Sequence, residues 1–114
     1  MTWLALYPLA RPAYLPHEPA GLDAALSRFE AAASAYRSGR PAQAAGGFLA
    51  AAVELRLVTP DDIGTRTVAY WNTLVCFASV GDAPAGSDVV RTTAADDPQC
   101  ADAVAAVAAS LFGG

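Results

Sequence analysis

Tyr36-Arg37-Ser38-Gly39-Arg40-Pro41-Ala42-Gln43-Ala44 is the turn on which the reading of this chain rests. Glycine accepts the left-handed backbone that ends many helices, and proline suits a first helical position because its missing N–H has no partner there anyway. Upstream, Leu22, Leu26, Phe29, Ala33 and Tyr36 recur at three- and four-residue steps, which predicts a helix over about Leu22 to Ser38 with one buried face. Downstream, Ala44, Phe48, Ala51 or Ala52, and Leu55 form a second stripe in a helix starting near Pro41. So short a connection makes the two helices antiparallel neighbours. Gly46 and Gly47 lie inside the second helix and cost about 1 kcal/mol each relative to alanine, which predicts close approach by a neighbouring backbone.

The rest of the chain extends this hairpin. Thr59-Pro60-Asp61-Asp62 reads as a helix start, with threonine as cap, proline at the first helical position and two aspartates where the dipole favours negative charge. That third helix runs to about Val80, with Ile63, Thr67, Tyr70 or Trp71, Leu74, and Phe77 or Ala78 facing inward, and Gly81 ends it. Asp82 to Ser87, with Pro84 and Gly86, reads as a loop, and Asp88 to Thr93 as one or two helical turns. Asp97-Pro98 repeats the cap chemistry before a last helix carrying Ala101, Val104, Ala105, Ala108, Leu111 and Phe112. The expectation is an all-α fold of four or five helices, a single domain over 21–114. Residues 1–20 hold Trp3, Leu4, Leu6, Tyr7, Leu9, Tyr14 and Leu15 among four prolines, which predicts an extended apolar arm. Such an arm either covers the protein's own helices or is offered to another protein, because exposed apolar patches tend to mark interfaces.

Composition narrows the function. With 114 residues there is room for one core, and an apolar fraction of 54% owes much to alanine, the best helix former. A formal charge of −4 and a pI near 4.6 speak against nucleic acid, which requires a basic face to displace counterions from phosphate. All seven basic residues are arginine, a bias that a GC-rich genome alone produces. Cys76 and Cys100 make no disulfide framework. Cys76 reads as a small core residue; Cys100 stands in the first turn of a helix, where the dipole can lower a thiol pKa, but with no histidine or resolving cysteine near it in sequence it reads as an ordinary thiol. No stretch approaches the roughly 20 apolar residues of a membrane span. The apolar start lacks a basic region before it and is broken by Pro8, Pro12, Pro16 and Pro19, so it is not a secretory signal, and a cytoplasmic protein is expected.

Ala32, Gly39, Ala44, Phe48 and Ala51 resemble the pattern of a tetratricopeptide repeat, in which small residues let two antiparallel helices approach, a glycine makes the turn and an aromatic packs across it. Tyr70, Asn72, Leu74, Phe77 and Gly81 look like the first helix of a second copy, so the resemblance covers about residues 26–82. Two features depart from it. The spacing from Gly39 to Gly81 exceeds the family period of about 34 residues, and Pro84 and Gly86 interrupt the second copy's second helix. The resemblance implies a protein-binding scaffold, with Asn72 at the place that faces a peptide carboxylate in some members and Arg66 and Arg37 as the nearby cations. On its own residues Asn72 reads first as a side chain that caps or bridges internal groups.

Catalytic patterns are missing. His17, the sole histidine, stands close to two prolines, and no metal-ligand spacing accompanies it. Asp61–Asp62 and Asp96–Asp97 are explained by helix capping. Ser27, Ser34, Ser79 and Ser110 have no base near them and no nucleophile-elbow glycines, and Gly46-Gly47 lacks the lysine of a phosphate loop. Trp71 and Tyr70 are adjacent, so on a helix they point about 100° apart and one is free to serve as an anchor. The sequence therefore predicts a non-enzymatic interaction module, an adaptor or accessory subunit. It binds another protein through Trp3, Tyr7, Tyr14, Tyr70, Trp71, Asn72, Arg37 and Arg66, without metal or cofactor. Self-association into a homo-oligomer is the second expectation, and a small-molecule-binding helical domain the third.

Overall fold

The computed structural model describes residues 21–113, which form five helices: α1 (Leu22–Arg37), α2 (Pro41–Val58), α3 (Ile63–Ser79), α4 (Ala83–Asp96) and α5 (Pro98–Phe112). No strand occurs among the described residues, and the all-α expectation holds. The arm predicted over residues 1–20 lies outside them. The α1 stripe is buried as read from the sequence: Leu22, Leu26, Phe29, Ala33 and Tyr36 all face inward, as do Ala44, Phe48, Ala51, Ala52 and Leu55 of α2. Pairs such as Arg28 with Glu54 and Ala32 with Gly47 set α1 and α2 antiparallel. At their crossing the rings of Phe29 and Phe48 meet edge to face, 4.9 Å between centroids.

The predicted close approach belongs to one of the two glycines. A Cβ added to Gly47 would stand 2.9 Å from the Ala32 Cβ, whereas one on Gly46 would meet nothing within 4 Å. Gly47 thus sets the spacing of the hairpin.

Two turns share one closure. After α1 the Gly39 N–H donates to the Tyr36 carbonyl (3.0 Å) and the Arg40 N–H to that of Ala35 (2.9 Å). After α3 the Gly81 N–H donates to Ala78 (3.1 Å) and the Asp82 N–H to Phe77 (3.0 Å). Both glycines have positive φ, 81° and 69°, and each turn is a Schellman closure of the helix before it.

Three sequence expectations are corrected. α3 does not start at Thr59-Pro60. Thr59 closes α2, donating its hydroxyl to the Leu55 carbonyl at 3.0 Å, and the cap of α3 is Asp62, whose carboxylate accepts from the Thr65 N–H at 3.1 Å. The segment expected as a loop is the first turn of α4: the Asp82 carboxylate caps the Ala85 N–H at 3.1 Å, and Pro84 sits in the opening turn where its absent N–H costs nothing. Gly86 is no breaker either; a Cβ there would lie 2.5 Å from the Phe112 ring, so the glycine makes room for α5. Finally, the inner side of α3 is wider than the predicted stripe. Thr65, Arg66, Ala69, Tyr70, Asn72, Thr73, Leu74, Val75 and Cys76 are buried, while Ile63 is exposed. α3 packs against α2, α4 and α5 together, which no single-face periodicity describes.

The result is a slab measuring 44 × 31 × 17 Å. Its thickness is that of two helical layers, since packed helices stand about 8–10 Å apart. α5 differs from the others: almost wholly apolar, it buries only Cys100 and Val104, and Ala105 of its predicted inner stripe is exposed.

Candidate functional site

The densest polar cluster surrounds Arg66, whose side chain has no solvent exposure. Its Nε donates to Asp97 Oδ2 at 2.9 Å and its Nη2 to Oδ1 at 3.1 Å, the two-pronged geometry that suits guanidinium to carboxylate. Nη2 also donates to Gln99 Oε1 at 2.9 Å, and Nη1 to the Pro60 carbonyl at 2.9 Å. The Tyr70 hydroxyl adds a third bond to the carboxylate, donating to Asp97 Oδ2 at 2.9 Å. Arg66 and Tyr70 come together because they are four apart on α3, and Asp97 because it is the one residue between α4 and α5.

Charge follows geometry. Burial works against ionisation of Asp97, but the bonds from Arg66 and Tyr70 outweigh it and hold the carboxyl below its ordinary value. Burial likewise opposes the charge on Arg66, yet the Asp97 carboxylate keeps the guanidinium protonated more firmly than in water. Burial first, then the Asp97 carboxylate, push the Tyr70 phenol up. Cys100 lies beside this cluster, with Thr67 Oγ1 3.5 Å from its sulfur. Burial raises its thiol pKa, as suits an ordinary thiol, and outweighs any lowering by the helix dipole. Cys76 is pushed up to about 12 by burial alone. Every buried side-chain nitrogen and oxygen among the described residues has a hydrogen-bond partner. The cluster, with its buried groups all paired, fixes α5 and the α2–α3 joint onto α3.

Of the residues predicted to meet a partner, Trp3, Tyr7 and Tyr14 lie outside the described residues, as does His17. Tyr70, Asn72 and Arg66 are buried rather than displayed on the surface. Arg66 read as a rim cation because its partner is 31 residues away in the chain. The reading of Asp97 as a capping carboxylate is corrected too: its side chain makes no cap bond to α5. Trp71 is half-buried and Arg37 is exposed in the last turn of α1. Sequence reasoning missed the part that Asp97 and Thr59, both read as caps, and Gln99 take around Arg66.

Among the described residues two hollows stand out. One, of about 100 Å³, lies between α2 and α4 over Tyr70, and the bond from Arg56 Nη1 to the Asp96 carbonyl (2.6 Å) crosses its rim. It is smaller than the roughly 300 Å³ at which ligand pockets begin. The other, about 270 Å³, runs between α4 and α5 and is lined by Ser87, Val90, Ala105, Ala108, Ala109 and Phe112. One hydroxyl is the only polar side chain in that lining. Among the described residues no group of three or more His, Cys, Asp or Glu side chains comes together to hold a metal, and no helix is long and apolar enough to cross a membrane.

The comparisons returned no match. No family model fits the chain, and neither a curated protein nor a solved structure is significantly similar to it. The arrangement itself is left to speak: a locked polar interior and an apolar cleft at the α4–α5 edge.

Proposed function

We propose that this chain is a non-enzymatic protein–protein interaction module, a small adaptor or accessory subunit that receives an apolar segment of another protein at its α4–α5 edge. The observation that carries this reading is α5, whose outward side is alanine-rich and which lines an apolar cleft of about 270 Å³ with α4. Continuous apolar surface of this kind marks interfaces, and a cleft without convergent polar groups suits a side chain of a partner better than a substrate. The two like turns at Gly39 and Gly81 support a repeat-like reading, with α1–α2 and α3–α4 as successive hairpins and α5 as the terminal helix. So does the contact of Tyr36 with Ser79, 3.1 Å between oxygens, which sets the end of α1 beside the end of α3. Stacked repeats close with a helix polar on its outer side, and α5 does not provide one. A cytoplasmic setting goes with this reading, since Cys76 and Cys100 are both free thiols.

The test is capture of the tagged full chain from its native host beside the Ala105→Arg variant, which places a charge in the cleft without touching the interior. A stoichiometric partner that the variant loses is the expected result; recovery of the bare chain in both cases ends the adaptor reading. Self-association is the second reading, favoured by the exposed alanines of α5, which let a like helix approach closely. Sedimentation over a range of concentrations would then show a mass increase that Ala105→Arg abolishes.

A further inference from the structure

α2 is apolar on the side that faces away from α1 and α3. Gly46, Ala50, Val53 and Leu57 follow one another at four-, three- and four-residue steps, opposite the buried stripe through Phe48 and Leu55. Val53 is 41% exposed and Leu57 74%. The two charged residues of the helix are engaged at its flanks, Glu54 by Arg28 and Arg56 by the Asp96 carbonyl, so neither interrupts the stripe. An amphipathic surface helix presents polar residues on this side; a helix apolar all round is a covered one.

We propose that residues 1–20 of the same chain cover this face of α2. The point where they join the domain selects them. Gly21 lies against the last turn of α2, its absent Cβ 3.1 Å from Val58 Cγ2, and Leu57 is the residue before Val58. The segment therefore departs beside the most exposed large apolar residue among those described. The stripe from Leu57 to Gly46 is about 16 Å long at 1.5 Å per helical residue. Twenty residues span up to about 66 Å at full extension, so reach sets no obstacle. The chemistry matches as well: Trp3, Leu4, Leu6, Tyr7, Leu9, Tyr14 and Leu15 supply apolar surface, and the four prolines withhold N–H donors that an apolar face would leave unpaired. Attachment at the end of the stripe gives the segment an effective concentration that a free partner does not match. The proposal concerns α2 and is independent of the α4–α5 edge, which stays open for a partner.

A benzophenone side chain introduced at Leu57 of the full chain tests it, since that position is solvent-facing and its replacement leaves the interior intact. Irradiation is expected to give a product of monomer mass, with residue 57 joined to a residue of 1–20. A product of dimer mass, a link to any other segment, or no link overturns the proposal. In parallel, Leu57→Glu is expected to speed chymotrypsin cleavage after Tyr14 by about tenfold or more, the shift that loss of one buried leucine contact produces. Equal cleavage rates in the two proteins overturn it.

Discussion

Arg66 and Asp97 are joined by two hydrogen bonds of 2.9 and 3.1 Å in a place that excludes solvent almost completely, the two side chains being 0% and 2% exposed. One belongs to the middle element of the fold and the other to the joint between its last two helices, so the pair ties α5 to α3. Burying two charges is favourable only when every lone pair and proton is answered, as Tyr70, Gln99 and the Pro60 carbonyl do here.

Removing one partner therefore costs more than the pair itself contributes. Arg66→Met leaves the Asp97 carboxylate buried without its cation and is expected to lower unfolding free energy by about 3–5 kcal/mol in urea titrations. Arg66→Met with Asp97→Leu is expected to recover most of that loss, since no charge is then stranded. Additive losses would show that packing, not charge, dominates the site.

Acid stability is governed by the same carboxylate. The Asp97 pKa lies below its unfolded value of about 3.9, so its contribution is fully present above that pH and is lost as pH falls through the folded value. Asp97→Asn is expected to be less stable at neutral pH and to show a flatter acid limb, measured by circular dichroism between about pH 5 and 2.

At alkaline pH the sign reverses. Tyr70 and Cys76 are held neutral in the fold with raised pKa values, against roughly 10 and 8.5 in the unfolded chain. Their contribution is complete below about pH 8.5 and declines as pH rises and the unfolded groups ionise. Cys76→Ala is expected to flatten the decline between about pH 8.5 and 12, and Tyr70→Phe to flatten it from about pH 10 upward. Tyr70→Phe also costs about 1 kcal/mol at neutral pH for the lost bond to Asp97.

The adjacent glycines of α2 separate propensity from packing. Gly46→Ala meets no described atom within 4 Å and is expected to stabilise the protein by about 1 kcal/mol. Gly47→Ala drives a methyl into the Ala32 Cβ, which has no rotamer by which to yield, so α1 and α2 must part. The expected result is a net loss of about 1–2 kcal/mol despite the better helix former, read from paired thermal melts.

The hairpin and the buried stripes of α1 and α2 were legible because each helix there buries mainly one side, and that produces a 3.6-residue rhythm; the fourth helix, read as one or two turns, was not. α3 packs on several sides and has no such rhythm, so its stripe was misplaced by a residue or two. Pro84 and Gly86 were misread for a different reason: both are breakers in a helix interior, and only Asp82 before them and Phe112 far along the chain turn them into an opening turn and a contact. A signal for the polar cluster did exist. Arg66, Tyr70, Thr73 and Phe77 share one helix face, and an arginine among core residues calls for a buried acid, although nothing local says which. The exposed side of α2 was passed over because its alanines and glycines read as helix formers and spacers rather than as surface.

The joints between helices differ in how they bear a change in length. Ser38–Arg40 lies on the surface, and Gly39 would meet nothing if a side chain were added, so extra residues spliced there leave the hairpin register to the packing of α1 on α2. Asp97 alone separates α4 from α5. One residue added beside it turns α5 by about 100° and carries the carboxylate away from Arg66. A loop graft or an epitope is therefore tolerated after Arg37, whereas at Asp97 a single codon gained or lost uncouples the last helix from the rest of the protein.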